Sequence, residues 1–154
     1  MEVSLKKMSE NDQLDGLKVL QNITKENFDE SPVPFKLDDE LYQAFLLQSK
    51  EEEENNECIR YWVTLENKKI GYADIRPYAD DNNGNIGIIL ENEYQNKGIG
   101  YQTMKLLIEK AQKEYKMKKI EISTGLHNKG MIRTCEKLGA ELTSIEENCK
   151  YKIK

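Results

Sequence analysis

The turn Gln95-Asn96-Lys97-Gly98-Ile99-Gly100 constrains this chain more than any other stretch. Before it runs Ile86-Gly87-Ile88-Ile89-Leu90, part of a nearly all-apolar strand over Asn85 to Leu90 of the kind that occupies a buried central position. After it, Met104, Leu107, Ile108, Ala111 and Tyr115 fall at i, i+3, i+4, i+7 and i+11, with Lys105, Glu109, Lys110, Gln112 and Lys113 on the other faces. That is the clearest amphipathic helix in the sequence. The first N–H groups of a helix have no internal partner and carry the positive end of its dipole. Gly98 and Gly100 remove the Cβ atoms that would shield those groups, and Lys97 adds a full charge. Such a junction is a cradle for an anion, most often a phosphate. A backbone angle would account for either glycine alone. The whole run, set between a buried strand and the best helix of the chain, favours the phosphate.

Two common phosphate loops do not fit. A P-loop ends in Gly-Lys-Ser/Thr, which is absent here. A dinucleotide fingerprint follows a first strand, whereas this turn lies in mid-chain behind an antiparallel hairpin.

The remaining elements follow from periodicity and punctuation. Glu2 to Met8 reads as a first strand. Asn11 to Ile23 reads as a helix with Leu14, Leu17, Leu20 and Ile23 on one side, broken by Ser31-Pro32-Val33-Pro34. A second helix runs from Leu37 to Lys50 through Leu41, Phe45 and Leu46. Glu51 to Glu57 is an acidic run, read as a solvated loop or helix end, or alternatively as a negative rim that draws amines. Tyr61-Trp62-Val63-Thr64-Leu65 and Ile70 to Arg76 form a hairpin around Glu66-Asn67-Lys68-Lys69, and Pro77 to Gly84 is a polar loop. Lys119 to Thr124 alternates as a strand. Asn128 caps a helix with the stripe Met131, Ile132, Cys135 and Leu138, which Gly139 ends. Glu141 to Ser144 and Cys149 to Ile153 close the chain as a hairpin. This order is α+β, or mixed α/β, within one domain over residues 1–154.

Charge and thiols limit the function. A net charge of -5 argues against a nucleic-acid partner and leans toward small cationic ones. No apolar stretch is long enough to span a bilayer, and MEVSLKKMSE has no hydrophobic signal core. Cys58, Cys135 and Cys149 are widely spaced with no CxxC pair and no Cys/His cluster, so free thiols in the cytoplasm are expected.

Two motifs carry a resemblance. Ile88-Ile89-Leu90-Glu91-Asn92-Glu93-Tyr94-Gln95-Asn96-Lys97-Gly98-Ile99-Gly100 resembles the strand and Q/R-x-x-G-x-G/A loop of the GNAT superfamily, the acyl-CoA-dependent N-acyltransferases. His127-Asn128 through Glu136-Lys137-Leu138-Gly139 resembles its second signature, an Asn followed by a helix ending in E-K-x-G. The segments Gly71 to Arg76 and Gly84 to Gly87 look like a branch of acetyltransferases of unassigned substrate.

The resemblance implies a central mixed sheet of about six or seven strands flanked by about four helices. Strands Asn85–Leu90 and Lys119–Thr124 would splay apart to admit the pantetheine arm of acetyl-CoA. That arm would pair with backbone groups of Ile88 and Leu90, and the Leu90 N–H would polarise the thioester carbonyl. The pyrophosphate would sit on the N–H groups of Gln95, Asn96, Lys97, Gly98, Ile99, Gly100 and Tyr101, with Asn128 nearby. A primary amine, from a small molecule or a peptide, would attack directly in a ternary complex without a metal. Asp74 and Glu91 are the candidate bases. Each is set against an ordinary solvated or Arg76-paired carboxylate, and a water chain is the third option. The lone histidine, His127, reads as a loop residue near the cofactor. Where the family commonly places a tyrosine acid, this chain has Cys135, which reads first as a small buried hydrophobe and only alternatively as the acid. An acyl-CoA-binding module with little turnover is the alternative function, and a domain that merely keeps the fold is the third. Nothing in the sequence decides between a monomer and a homodimer.

Overall fold

The computed structural model describes residues 2–28, 37–79, 82–125, 128–145 and 148–153. The elements run β1 (Val3–Lys7), α1 (Asp15–Phe28), α2 (Asp39–Glu54), β2 (Ile59–Leu65), β3 (Lys68–Pro77), β4 (Asn83–Leu90), a 3₁₀ turn at Asn92–Tyr94, α3 (Ile99–Lys113), β5 (Lys119–Gly125), α4 (Lys129–Lys137), β6 (Glu141–Ile145) and β7 (Asn148–Ile153). The strands form one 7-stranded sheet in the order β1-β2-β3-β4-β5-β7-β6. Every neighbouring pair is antiparallel except β4 and β5, which α3 connects as a parallel crossover.

Alternation along the strands sorts two cores. On one face Tyr61, Val63, Ile70, Ala73, Ile75, Ile86, Ile120 and Ile122 pack with Ile99, Met104, Leu107 and Ala111 of α3 and Cys135 of α4. On the other, Trp62 meets Leu17, Val19, Leu20 and Ile23 of α1 and Tyr42 and Leu46 of α2. The β3–β4 register places Tyr72 opposite Ile89, Asp74 opposite Gly87 and Arg76 opposite Asn85. These residues share the Trp62 face, where Trp62 pairs with Tyr72 and Arg60 with Asp74.

Several element boundaries differ from the sequence expectation. Helix α1 begins at Asp15, not Asn11, and continues to Phe28. Asp12 is occupied in a turn instead: its Oδ2 accepts from the Ser9 N–H at 2.7 Å and from Trp62 Nε1 at 2.8 Å. Leu14 consequently faces solvent at 53% exposure rather than joining the stripe. Helix α2 starts after Asp38, whose Oδ1 accepts from the Leu41 N–H at 2.9 Å, and reaches Glu54. Its buried side is Tyr42, Leu46 and Ser49, and Leu41 is exposed. The acidic run is therefore partly helical, and two of its carboxylates are engaged, Glu52 with Arg60 at 3.2 Å and Glu53 with Lys7 at 2.8 Å. The start of α4 agrees with expectation, since Asn128 Oδ1 accepts from the Met131 N–H at 3.1 Å. Its end does too: Gly139 has φ +74°, and the Ala140 N–H reaches back to the Cys135 carbonyl at 3.0 Å. The breaker Ser31–Pro34, the loop tip at Asp80-Asp81 and His127 lie outside the described residues, as does the side chain of Cys149.

Candidate active site

The parallel ladder between β4 and β5 stops early. Its pairs run from Asn83↔Lys119 to Ile86↔Ile122, and Gly87 to Leu90 continue without β5 partners. The Glu91 N–H donates to the Ile70 carbonyl at 3.0 Å, and the Tyr78 N–H donates to the Asn83 carbonyl at 2.8 Å. Hydrogen bonding in an antiparallel pair alternates by residue. The odd-numbered residues of β4 are thus bonded to β3, and the N–H and C=O groups of Ile88 and Leu90 point into the opening toward β5. Gln95 Nε2 donates to the Leu90 carbonyl at 3.0 Å and ties the turn to the strand end. The opening explains why Ile88 and Ile89 are only half-buried, against the expectation of a fully buried strand.

A cavity of about 820 Å³ extends from this opening across the turn to α4. Ile88, Leu90, Gln95, Asn96, Gly98, Gly100, Tyr101 and Asn128 line it. The two glycines differ. Gly98 adopts φ +80° at the helix N-cap, a region that disfavours other residues. A Cβ on Gly100 would meet only Ile88 Cδ1 at 3.7 Å, an ordinary contact, so neither backbone angle nor crowding calls for glycine there. Its bareness serves the cavity wall. Lys97 and Ile99 do not line the cavity with their side chains. Lys97 is exposed and Ile99 packs in the α3 core.

The positive charge comes instead from α4. Lys129, Arg133 and Lys137 line the cavity. Arg133 Nη2 donates to Asn96 Oδ1 at 3.1 Å, and Lys137 Nζ stands 4.9 Å from the centre of the Tyr101 ring. Sequence reasoning missed this stripe, although the spacing i, i+4, i+8 opposite the apolar side of the same helix was there to read.

The two carboxylates sit differently on one sheet face. Glu91 is 6% exposed, and its Oε2 accepts from Asn22 Nδ2 of α1 at 2.6 Å. It is neither solvated nor paired with arginine. Asp74 keeps 15% of its side chain exposed, and Arg76 Nε and Nη2 both approach its Oδ2 at 3.4 Å. Burial pushes the Asp74 carboxyl above the ordinary carboxylate range, against the opposing pull of Arg76 and Arg60. Cys135 is fully buried in the α3 core, and Thr134 and Met131 beside it reach the cavity wall.

The sequence matches the acetyltransferase (GNAT) domain family over residues 3–141. The chain belongs to the GNAT acetyltransferases. It is an acyltransferase. No curated protein matches this sequence significantly. Solved structures share the GNAT fold at low identity. The microcin C7 self-immunity acetyltransferase MccE, in complex with acetyl-CoA and AMP, is 20% identical with a TM-score of 0.80, over 99% of this chain and 92% of that one. The Campylobacter jejuni N-acetyltransferase PseH, in complex with acetyl-CoA, is 14% identical with a TM-score of 0.74, over 99% of both chains. RimL, a ribosomal L7/L12 α-N-protein acetyltransferase in complex with coenzyme A, is 11% identical with a TM-score of 0.80, over 98% of this chain and 93% of that one. Among the described residues of this GNAT chain, no helix is long and apolar enough to cross a membrane.

Proposed function

We propose that this GNAT enzyme moves an acetyl group from acetyl-CoA to a primary amine by direct attack in a ternary complex, within a single domain over residues 1–154. The observation that carries the reading is the end of β4–β5 pairing at Ile86↔Ile122, which opens onto the cavity beneath the start of α3. The MccE and PseH structures, which hold acetyl-CoA on the same fold, support it.

Ile88 and Leu90 offer strand-edge backbone groups to the pantetheine amides. The Leu90 N–H donates to the thioester oxygen, where negative charge develops. The N–H groups from Gln95 to Tyr101 hold the pyrophosphate, and Lys129, Arg133 and Lys137 supply charge. Asn128 holds α4 in place by capping it. Asp74 takes a proton from the acceptor ammonium and later releases it to water. Its burial favours this role, because a base works best with a pKa near the working pH. The amine nitrogen then bonds to the carbonyl carbon, the C–S bond breaks with its electron pair on sulfur, and the proton shed by nitrogen neutralises the thiolate through water. Cys135 is too deep for direct transfer to a group in the cavity. Glu91, locked to Asn22, holds α1 against the strand end. Reduced, buried thiols at Cys58 and Cys135 suit a cytoplasmic enzyme.

The alternative reading, an acyl-CoA-binding module with little turnover, draws on the lack of an acid at Cys135. Thiol release from acetyl-CoA across a panel of primary amines separates the two. Release that depends on the amine is expected. Tight acetyl-CoA binding without release for any amine would establish the module.

A further inference from the structure

The Trp62 face of the sheet has a bare patch beside the opening. A Cβ built on Gly87 would meet Asp74 Oδ1 at 3.4 Å and, apart from chain neighbours, no other described atom within 4 Å. Gly87 is the first β4 residue past the end of the ladder. Among the described residues one carboxylate oxygen tops this space, on the unpaired stretch of β4 that ends at Leu90.

The two oxygens of Asp74 are in different situations. Both Arg76 donors approach Oδ2, leaving Oδ1 over Gly87. At 3.4 Å these contacts are long for a charge-assisted pair, which closes to roughly 2.7–2.9 Å. Arg76 is also 52% exposed. The other arginine of the patch is committed. Arg60 Nη1 bonds Glu52 at 3.2 Å and Ser49 Oγ at 3.2 Å, and its guanidinium lies 5.2 Å from the Phe45 ring centre. Arg76 thus presents an underused guanidinium one strand repeat from the carboxylate that receives the amine.

We propose that the acceptor is a free α-amino acid, its ammonium on Asp74 Oδ1 and its carboxylate on the fork of Arg76. This rests on the acetyl-transfer reading above and names its substrate class. A loose Asp–Arg pair can open to straddle a zwitterion, with each end of the ligand replacing one half of the internal pair. An amine without an anionic group brings a cation beside Arg76 and gives it no new partner. A polyamine or a lysine side chain is disfavoured for that reason, and a peptide N-terminus lacks the adjacent carboxylate. Within the acidic run of α2, Glu52 and Glu53 are already paired with Arg60 and Lys7. The product is an N-acetylamino acid. One N–C bond forms, one C–S bond breaks, and the proton leaves through Asp74.

The test measures thiol release from acetyl-CoA with free L-amino acids, their C-terminal carboxamides and a polyamine as acceptors. The unaltered protein should favour acids over carboxamides by about tenfold or more in kcat/KM, the range expected for a hydrogen-bonded charged group. Arg76→Gln should erase that preference by raising KM for the acids more than for the carboxamides, and any effect through Asp74 is common to both acceptors and cancels in the ratio. Arg76→Lys should restore part of it as a point charge without the fork. Equal turnover of acids and carboxamides, or polyamine turnover above both, would overturn the zwitterion assignment and leave the acetyl-transfer reading standing. No release with any acceptor would remove both. The comparison of acids with carboxamides needs no variant, so a folding defect in Arg76→Gln cannot mask the answer.

Discussion

The two halves of β4, the polar Asn83 to Ile86 and the apolar Gly87 to Leu90, are bonded differently. From Asn83 to Ile86 the strand is bonded on both edges, and Ile86 is buried in the core. From Gly87 to Leu90 it keeps its β3 partners and loses those on β5, so its backbone faces a cavity. Burial alone would favour continuing the ladder, since unpaired strand edges are costly unless another group satisfies them. The unpaired half is where a ligand can complete the sheet. The same contrast separates Asp74 and Glu91, which share a face. Asp74 stands over the gap at Gly87, whereas Glu91 is tucked beneath α1 and bonded to Asn22.

The sharpest way to break this contrast is at the carboxylates. Asp74→Asn should lower kcat by roughly 100-fold or more, as loss of a positioned base does. In the unaltered protein kcat/KM should rise with pH through the raised Asp74 value, and this limb should vanish in the variant. Because burial raises the folded-state pKa of Asp74, its contribution to stability is present at acid pH and lost as pH rises through that value. Asparagine removes that neutral-pH penalty, so the melting temperature should not fall. If Glu91→Gln abolished turnover while Asp74→Asn retained it, the two roles would have to be exchanged.

The next effect is at the turn. Gly100→Glu should weaken acetyl-CoA binding more than tenfold, about 1.4 kcal/mol by calorimetry. Gly98→Ala should act mainly on stability, costing about 1 kcal/mol for an alanine forced to positive φ. Equal losses of affinity in both folded variants would show that the two glycines are not divided between angle and cavity.

The smallest effect on turnover is expected at Cys135. Cys135→Ala should slow acetyl transfer by less than about tenfold, with water protonating the thiolate. It should lower stability by about 1 kcal/mol, because a fully buried side chain is truncated. A hundredfold loss with unchanged acetyl-CoA affinity and melting temperature would make the thiol the acid.

What the sequence determined by itself was local. The stripe of α3, the Asn128 cap, the Gly139 terminus and the glycines of the turn each follow from residues within a few positions of one another. Helical period, capping and positive φ act at that range. The Tyr61–Arg76 hairpin was legible for the same reason, its strands being joined by a tight turn. The α1 boundary was not, because Trp62 holds Asp12 across fifty positions and keeps it out of the helix. Only the tertiary structure decided where the ladder ends at Ile86↔Ile122, which residue lies over Gly87, and which carboxylate Asn22 holds. It also placed the α4 cations, rather than Lys97, along the cavity. Those outcomes depend on register between strands and on packing between helices. Register is set by the summed fit of many distant side chains, so no short stretch of the chain encodes it.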